Sequence, residues 1–230
     1  MNTRHNGCLA GAVHASSDKT GMPAETRSVL RNVYLLLSAC LGFSALTAAA
    51  AITLKLPHPG LLLTMVGYYG LLFMVMRNRN RSTGVAWTFA LTGFMGYTLG
   101  PIVGLYLKLP NGGMTVMMAL GGTAATFFVM SAYALVTKRD LSFMGGILMT
   151  GILVSFIAGL AAIFLHLPSL SLAVSGMFVL LMSGMILYET NRIVRGGETN
   201  YIVATVGLFV LIFNLFTGLL HILGFINSAE

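Results

Sequence analysis

The chain has 230 residues, of which 57% are apolar and only 8% charged, with a formal net charge of +7. An ordinary soluble domain carries roughly 25% charged residues, so this composition excludes a water-soluble globule and predicts an all-α integral membrane protein. The positive balance does not point to nucleic acid, because no basic stretch is interleaved with aromatic residues that would stack on bases.

In chain order, residues 1–28 are expected to form a flexible tail. Met1–Arg27 is rich in Ser, Thr, Gly and Asn and lacks the apolar core of a signal peptide. Seven apolar runs follow, at about Val33–Leu54, Gly60–Met76, Gly84–Leu107, Met114–Val136, Leu141–Leu165, Leu170–Tyr188 and Tyr201–Phe225. Each approaches the length needed to cross about 30 Å of hydrocarbon, so residues 29–227 are predicted to form a seven-helix transmembrane domain. The second run is the shortest. Three connectors, "KLPHPG", "KLPNGG" and "HLPSL", hold a proline beside turn formers, and the other three, "RNRNRSTG", "KRD" and "NRIVRGGETN", are charged.

The two sets of connectors alternate. Eleven Lys and Arg residues, from Arg4 to Arg195, fall on one side, and only Lys55 and Lys108 on the other. The positive-inside rule then puts the N-terminus and the charged connectors in the cytoplasm and Glu230 outside, with anionic lipid as the partner of the arginines.

In the third run Gly96, Gly100 and Gly104 recur every four residues on one helix face, next to Pro101. Small residues at this spacing let membrane helices pack closely, and the proline removes a backbone donor. Gly151, Ser155 and Gly159 repeat the device in the fifth run. No glycine pair is followed by a P-loop lysine, so a phosphate cradle is not supported.

Candidate chemistry is sparse. The five histidines are not at metal-ligand spacing, and Cys8 and Cys40 form no disulfide framework, so neither a metal nor another cofactor is expected. Ser175 and His221 fall at similar depth near the outer ends of the last two runs. They carry the one enzymatic option, an intramembrane serine hydrolase, but no group to orient the imidazole and no oxyanion donor is apparent. The expectation is a protein that is not an enzyme.

The sixth run ends in "LYETNRIVRGG". Glu189 is the only carboxylate touching a predicted span, and it sits at the helix pole that disfavours negative charge. A cationic partner is therefore expected. Arg192, three residues on, and Arg77, at the cytoplasmic end of the second run, are the candidates. The plain reading is an interfacial ion pair that sets helix depth. The sharper one is a protonation switch, since desolvation and a nearby guanidinium act on a carboxyl in opposite senses.

The segments "TGFMGYTLGPI" (92–102), "KRDLSFMGG" (138–146), "ILYETNRIVRGGETNYI" (186–202) and "LFVLIFNLFTGLLHILG" (208–224) together resemble the Bax inhibitor-1 family of membrane proteins, in particular its bacterial YccA-like branch. The resemblance spans about Leu30 to Ile226. It implies seven transmembrane helices with the last enclosed by the other six, in the bacterial inner membrane. It also implies one of two roles. The first is modulation of the membrane-bound ATP-dependent protease FtsH and its prohibitin-like partners. The second is a pH-sensitive calcium or cation leak, in which an acid at Glu189 and another in the last helix act with an arginine latch at Arg77. The second acid is replaced by Leu211 here, leaving Asn214 as the nearest polar group of the last helix. Calcium prefers six to eight oxygen ligands, so this departure weakens the leak reading.

Overall fold

The computed structural model describes residues 24–137 and 139–229. The expected tail lies outside the described residues as far as residue 23. The helical part begins at Ala24, five residues before the expected boundary, with Glu25 in the favourable first turn of its helix.

The described residues form seven α-helices and no strand: α1 (Ala24–Thr53), α2 (Leu61–Asn78), α3 (Thr83–Tyr106), α4 (Gly112–Val136), α5 (Ser142–Phe164), α6 (Pro168–Val194) and α7 (Tyr201–Ala229). Each matches one apolar run. Six of them, all but α2, are long and apolar enough to cross a membrane. At 18 residues α2 is the shortest helix, near the lower limit for spanning. The largest boundary differences are the early start of α1 and the extension of α6 six residues past Tyr188. Charge marks where lipid ends, and a helix continues beyond that point because its backbone bonds need no lipid.

The connectors have simple local causes. At the ends of α1 and α5, Lys55 and His166 take left-handed conformations, with φ of 52° and 51°. The following N–H groups of Leu56 and Leu167 then bond back to the carbonyls of Ala51 and Ala162. The Asp140 carboxylate accepts from the Ser142 N–H at 2.9 Å and from its hydroxyl. Those bonds hold its carboxyl below the usual carboxylate range.

The bundle is organised around α7, which packs on α1, α2, α3, α4 and α6. Its buried residues Leu208, Phe209, Ile212 and Leu215 meet Val33, Leu37, Phe127, Met182 and Ile186 in the main core. Enclosure by all six helices does not occur. α5 makes no contact with α7 and packs only on α6, leaving most of its surface to lipid.

The α1–α3 seam is the most extensive helix contact among the described residues. A Cβ at Gly96 would strike the backbone oxygen and hydroxyl of Ser44 and the hydroxyl of Thr47, and one at Gly100 would come within 2.6–2.7 Å of Ala51 and the Ala48 oxygen. Gly104 is looser, with Ile52 at 3.8 Å. α3 continues through Pro101 without interruption. On α5, Gly151 faces Leu181 and Gly159 faces Val174, both of α6.

Candidate functional site

Charge enters the bundle where α6 turns into α7. The α6 helix persists to Val194, so Glu189 and Arg192 lie one turn apart on the same face. Arg192 Nη1 is 3.5 Å from Glu189 Oε1, and Arg192 Nη2 is 3.3 Å from Glu198 Oε2. One guanidinium thus serves two carboxylates. The Glu189 and Glu198 side chains are 19% and 16% exposed, whereas Arg192 reaches outward at 40%. The acid at the unfavourable helix pole is offset by a cation in the same turn.

Glu198 arrives there because the chain reverses sharply. Gly196 has φ of +73°, and its N–H bonds to the Ile193 carbonyl while that of Gly197 bonds to the Arg192 carbonyl. This paired 5→2 and 6→1 closure is the Schellman motif, which favours glycine at its left-handed position. Two residues later Glu198 Oε1 accepts the Asn200 N–H at 3.0 Å.

Asn200 joins three elements. Its side-chain oxygen caps α7 by accepting the N–H groups of Ile202 and Val203 at 3.0 and 3.2 Å. Its amide donates to the Arg79 carbonyl and to Asn80 Oδ1, both at 2.9 Å, in the α2–α3 connector. The ion pairs, the reversal and the cap form one continuous polar junction. Asn200→Ala removes the cap and both ties, and we expect a loss of about 1–2 kcal/mol in detergent unfolding. Asn200→Asp keeps an acceptor for the cap but loses the amide donor, so its unfolding midpoint should fall between the two.

Beside the junction lies a cavity of about 270 Å³, lined by Glu189, Arg192 and Glu198 with Tyr68, Met76 and Leu211. Leu211 presents an apolar side chain where the family resemblance calls for an acid. Asn214 does not join the site, since its amide donates to the Val210 carbonyl of its own helix at 2.8 Å. Arg77 is exposed on α2 and forms no ion pair with Glu189 among the described residues. Its expected place beside Glu189 is taken by Arg192. Glu198 was not singled out by sequence reasoning. The available signal was the glycine pair, which turns the chain back on Arg192.

Ser175 and His221 do meet. Ser175 Oγ is 2.9 Å from His221 Nδ1 and 3.0 Å from the Ser171 carbonyl. No described side chain orients the other imidazole nitrogen, and the nearby backbone N–H groups are spent inside α6 and α7. The arrangement can link α6 to α7 by a hydrogen bond in lipid. Among the described residues no three His, Cys, Asp or Glu side chains gather as metal ligands.

Comparison with known proteins agrees with this architecture. The family described as "Inhibitor of apoptosis-promoting Bax1" matches residues 26–228. The "Modulator of FtsH protease YccA" of Escherichia coli (strain K12) is 54% identical over 213 residues, covering 93% of this chain and 96% of that protein. The "Inner membrane protein YccA" of E. coli O6:H1 matches equally. An uncharacterized protein of Pseudomonas aeruginosa is 48% identical over 206 residues, covering 90% of this chain and 93% of the relative. None of these names denotes an enzyme. With a match across nearly all of its helical part and relatives matched over 93–96% of their length, the chain belongs to the Bax inhibitor-1 family, on its YccA-like side.

Proposed function

We propose that the protein is a multi-pass inner-membrane regulator that binds and modulates a membrane-bound ATP-dependent protease of the FtsH type. The observation that carries this reading is the 54% identity, over nearly the whole of both chains, to a protein named as a modulator of that protease. The charge bias of the connectors supports a cytoplasmic N-terminus and a periplasmic C-terminus. All seven helices span in this reading, α2 included. Its Leu62, Val66, Tyr69 and Phe73 form an exposed apolar stripe that suits lipid better than water.

A ring-shaped unfoldase acting from the cytoplasm needs a polar segment to grip, and Met1–Arg27 has the composition for it. Prohibitin-like companions of the protease belong to the same assembly. The test is a pull-down from detergent-solubilised membranes with the full chain as bait, paired with lifetime measurements. Protease subunits should co-purify, and deleting Met1–Arg27 should lengthen the protein's half-life and alter turnover of other substrates of the protease. Absence of co-purification with unchanged turnover would refute the proposal.

A second reading, a pH-responsive cation leak, draws on the sharing of Arg192 by two carboxylates beside the 270 Å³ cavity. Glu198 stands in for the acid that Leu211 replaces, and Arg192 for the Arg77 latch. Two carboxylates already engaged by a guanidinium make a poor calcium seat, so the arrangement suits proton-linked movement better. Liposomes holding the purified protein should then pass cations in a pH-dependent way that Glu189→Gln flattens. Flux absent at every pH removes this reading.

A further inference from the structure

A second cavity, larger than the one at the charged junction, shares none of its lining residues. The backbones of α1 and α4 do not pack on each other. The gap between them is a cleft of about 610 Å³, floored by Phe209, Phe213 and Phe216 of α7. It is bounded by α1 from Tyr34 to Ile52 and by Leu120, Ala124 and Phe128 of α4. Its width depends on small residues: Ala45, Ala49 and Ala124 all line it. Leu120 and Phe128 at its rim are 54% and 69% exposed, so it opens sideways toward the bilayer.

The α1 wall of the cleft runs from Tyr34 to Ile52, about 27 Å at about 1.5 Å per residue. Its volume of about 610 Å³ lies within the usual range for small-ligand sites, and the long, apolar, laterally open shape suits a hydrocarbon chain.

Charge selects the rest. The α1 residues facing the cleft follow the helical repeat Tyr34, Ser38, Leu41, Ala45, Ala48 and Ile52. Arg31 continues this stripe one turn beyond Tyr34. It is exposed and forms no ion pair with any described residue. The hydroxyl of Tyr34, which lines the cleft, is buried without a hydrogen-bond partner. The Tyr34 ring meets the edge of Phe127 at 6.0 Å, closing this end of the gap. Buried hydroxyls are ordinarily paired, so the unpaired Tyr34 hydroxyl at one end of an apolar cleft suits a ligand with acceptor oxygens there.

We propose that the α1–α4 cleft is a binding site for an anionic phospholipid, with one acyl chain along the cleft and the headgroup phosphate held by Arg31. A small rotation of the Tyr34 ring brings its hydroxyl to an ester or phosphate oxygen.

The test is native mass spectrometry of the full chain released from mild detergent with phosphatidylglycerol or phosphatidylethanolamine added. The protein should retain one phosphatidylglycerol and prefer it about fivefold, the size expected of one arginine beside a charged headgroup. Arg31→Gln should abolish the preference without moving the melting temperature. Ala45→Phe/Ala49→Phe, which fills the cleft, should lose both lipids, whereas Ile147→Phe on the exposed face of α5 should not. Equal retention of the two lipids by the unaltered protein, or full retention by the filled variant, overturns the proposal.

Should the filled variant fail to fold, phosphatidylglycerol carrying a photoreactive acyl chain decides the matter. Labelling should concentrate on α1 and α4 peptides. Even labelling over α2 and α5, or disulfide capture of Ala45→Cys by a second copy or another protein's helix in membranes, counts against it.

Discussion

Gly96→Ala should be a severely damaging single methyl addition at the α1–α3 seam, costing about 2–3 kcal/mol. The new Cβ falls on the main-chain oxygen and hydroxyl of Ser44 and the hydroxyl of Thr47 in α1. A rotating side chain could yield, but a backbone carbonyl inside a helix cannot move without moving the helix. α1 and α3 must therefore separate, and overpacking of this kind costs about 1–3 kcal/mol. The seam gains nothing from water exclusion, because lipid is as apolar as the helix, so its stability is mainly close packing. Gly100→Ala should behave similarly, since its Cβ would lie 2.7 Å from the Ala48 oxygen.

Gly121→Ala, where nothing stands within 4 Å, is the control and should stay within about 0.5 kcal/mol of the parent or rise slightly. Unfolding in mixed detergent micelles, followed by loss of helical circular dichroism, reads all three. If Gly96→Ala and Gly121→Ala melt alike, the α1–α3 seam does not set stability. A further consequence touches the lipid cleft. α1 is held between α3 on one side and the cleft on the other, so a displaced α1 should also lose the phosphatidylglycerol preference.

The glycine seam was legible in the sequence because a repeat of four puts Gly96, Gly100 and Gly104 on one helix face whatever that face meets. The partner helix was not legible. Each apolar run here reads alike on all sides, and in lipid an outward face and an inward face need not differ in hydropathy. For the same reason α5 gave no sign that it would stand outside the bundle on α6 alone. Apolar run length and the Pro, Gly and charged breaks marked the seven helices, because hydrocarbon tolerates neither charge nor an unpaired backbone. Their ends were less legible, as the extension of α6 to Val194 demonstrates.

That extension matters for the site: ending the helix at Tyr188 leaves Arg192 without a defined direction, whereas continuing it puts Arg192 under Glu189. Glu198 stayed hidden because its position depends on a chain reversal at Gly196 rather than on any periodic pattern. Ser175 and His221 were found by depth alone, and depth located their contact without giving it a chemistry.

The polar junction yields the second large effect. Arg192→Gln should cost about 2 kcal/mol, and Glu189→Gln added to it should recover roughly half of that. Removing Arg192 leaves two carboxylates, 19% and 16% exposed, facing each other across the α6–α7 turn with neither cation nor full hydration. Leaving a charge buried and unpaired is the costly outcome, more so than losing the pair itself. The loss stays below the full buried-pair value because Arg192 is 40% exposed and partly screened already. Glu189→Gln then relieves the repulsion and restores a neutral group that Glu198 can accept from. A solvent-exposed ion pair behaves differently: either single loss is small, and removing the second partner after the first recovers nothing.

Micellar unfolding midpoints of the parent, both single variants and the double variant form a thermodynamic cycle that separates these cases. Additive losses would mean that Glu189, Arg192 and Glu198 act independently, and the shared guanidinium would carry neither the stability of the turn nor any switching through it. Arg77→Gln supplies the comparison at the same interface, and it should leave the midpoint within about 0.5 kcal/mol because its side chain is exposed on α2. A loss for Arg77→Gln as large as that for Arg192→Gln would return the latch to α2 and move the site's cation off the α6 helix.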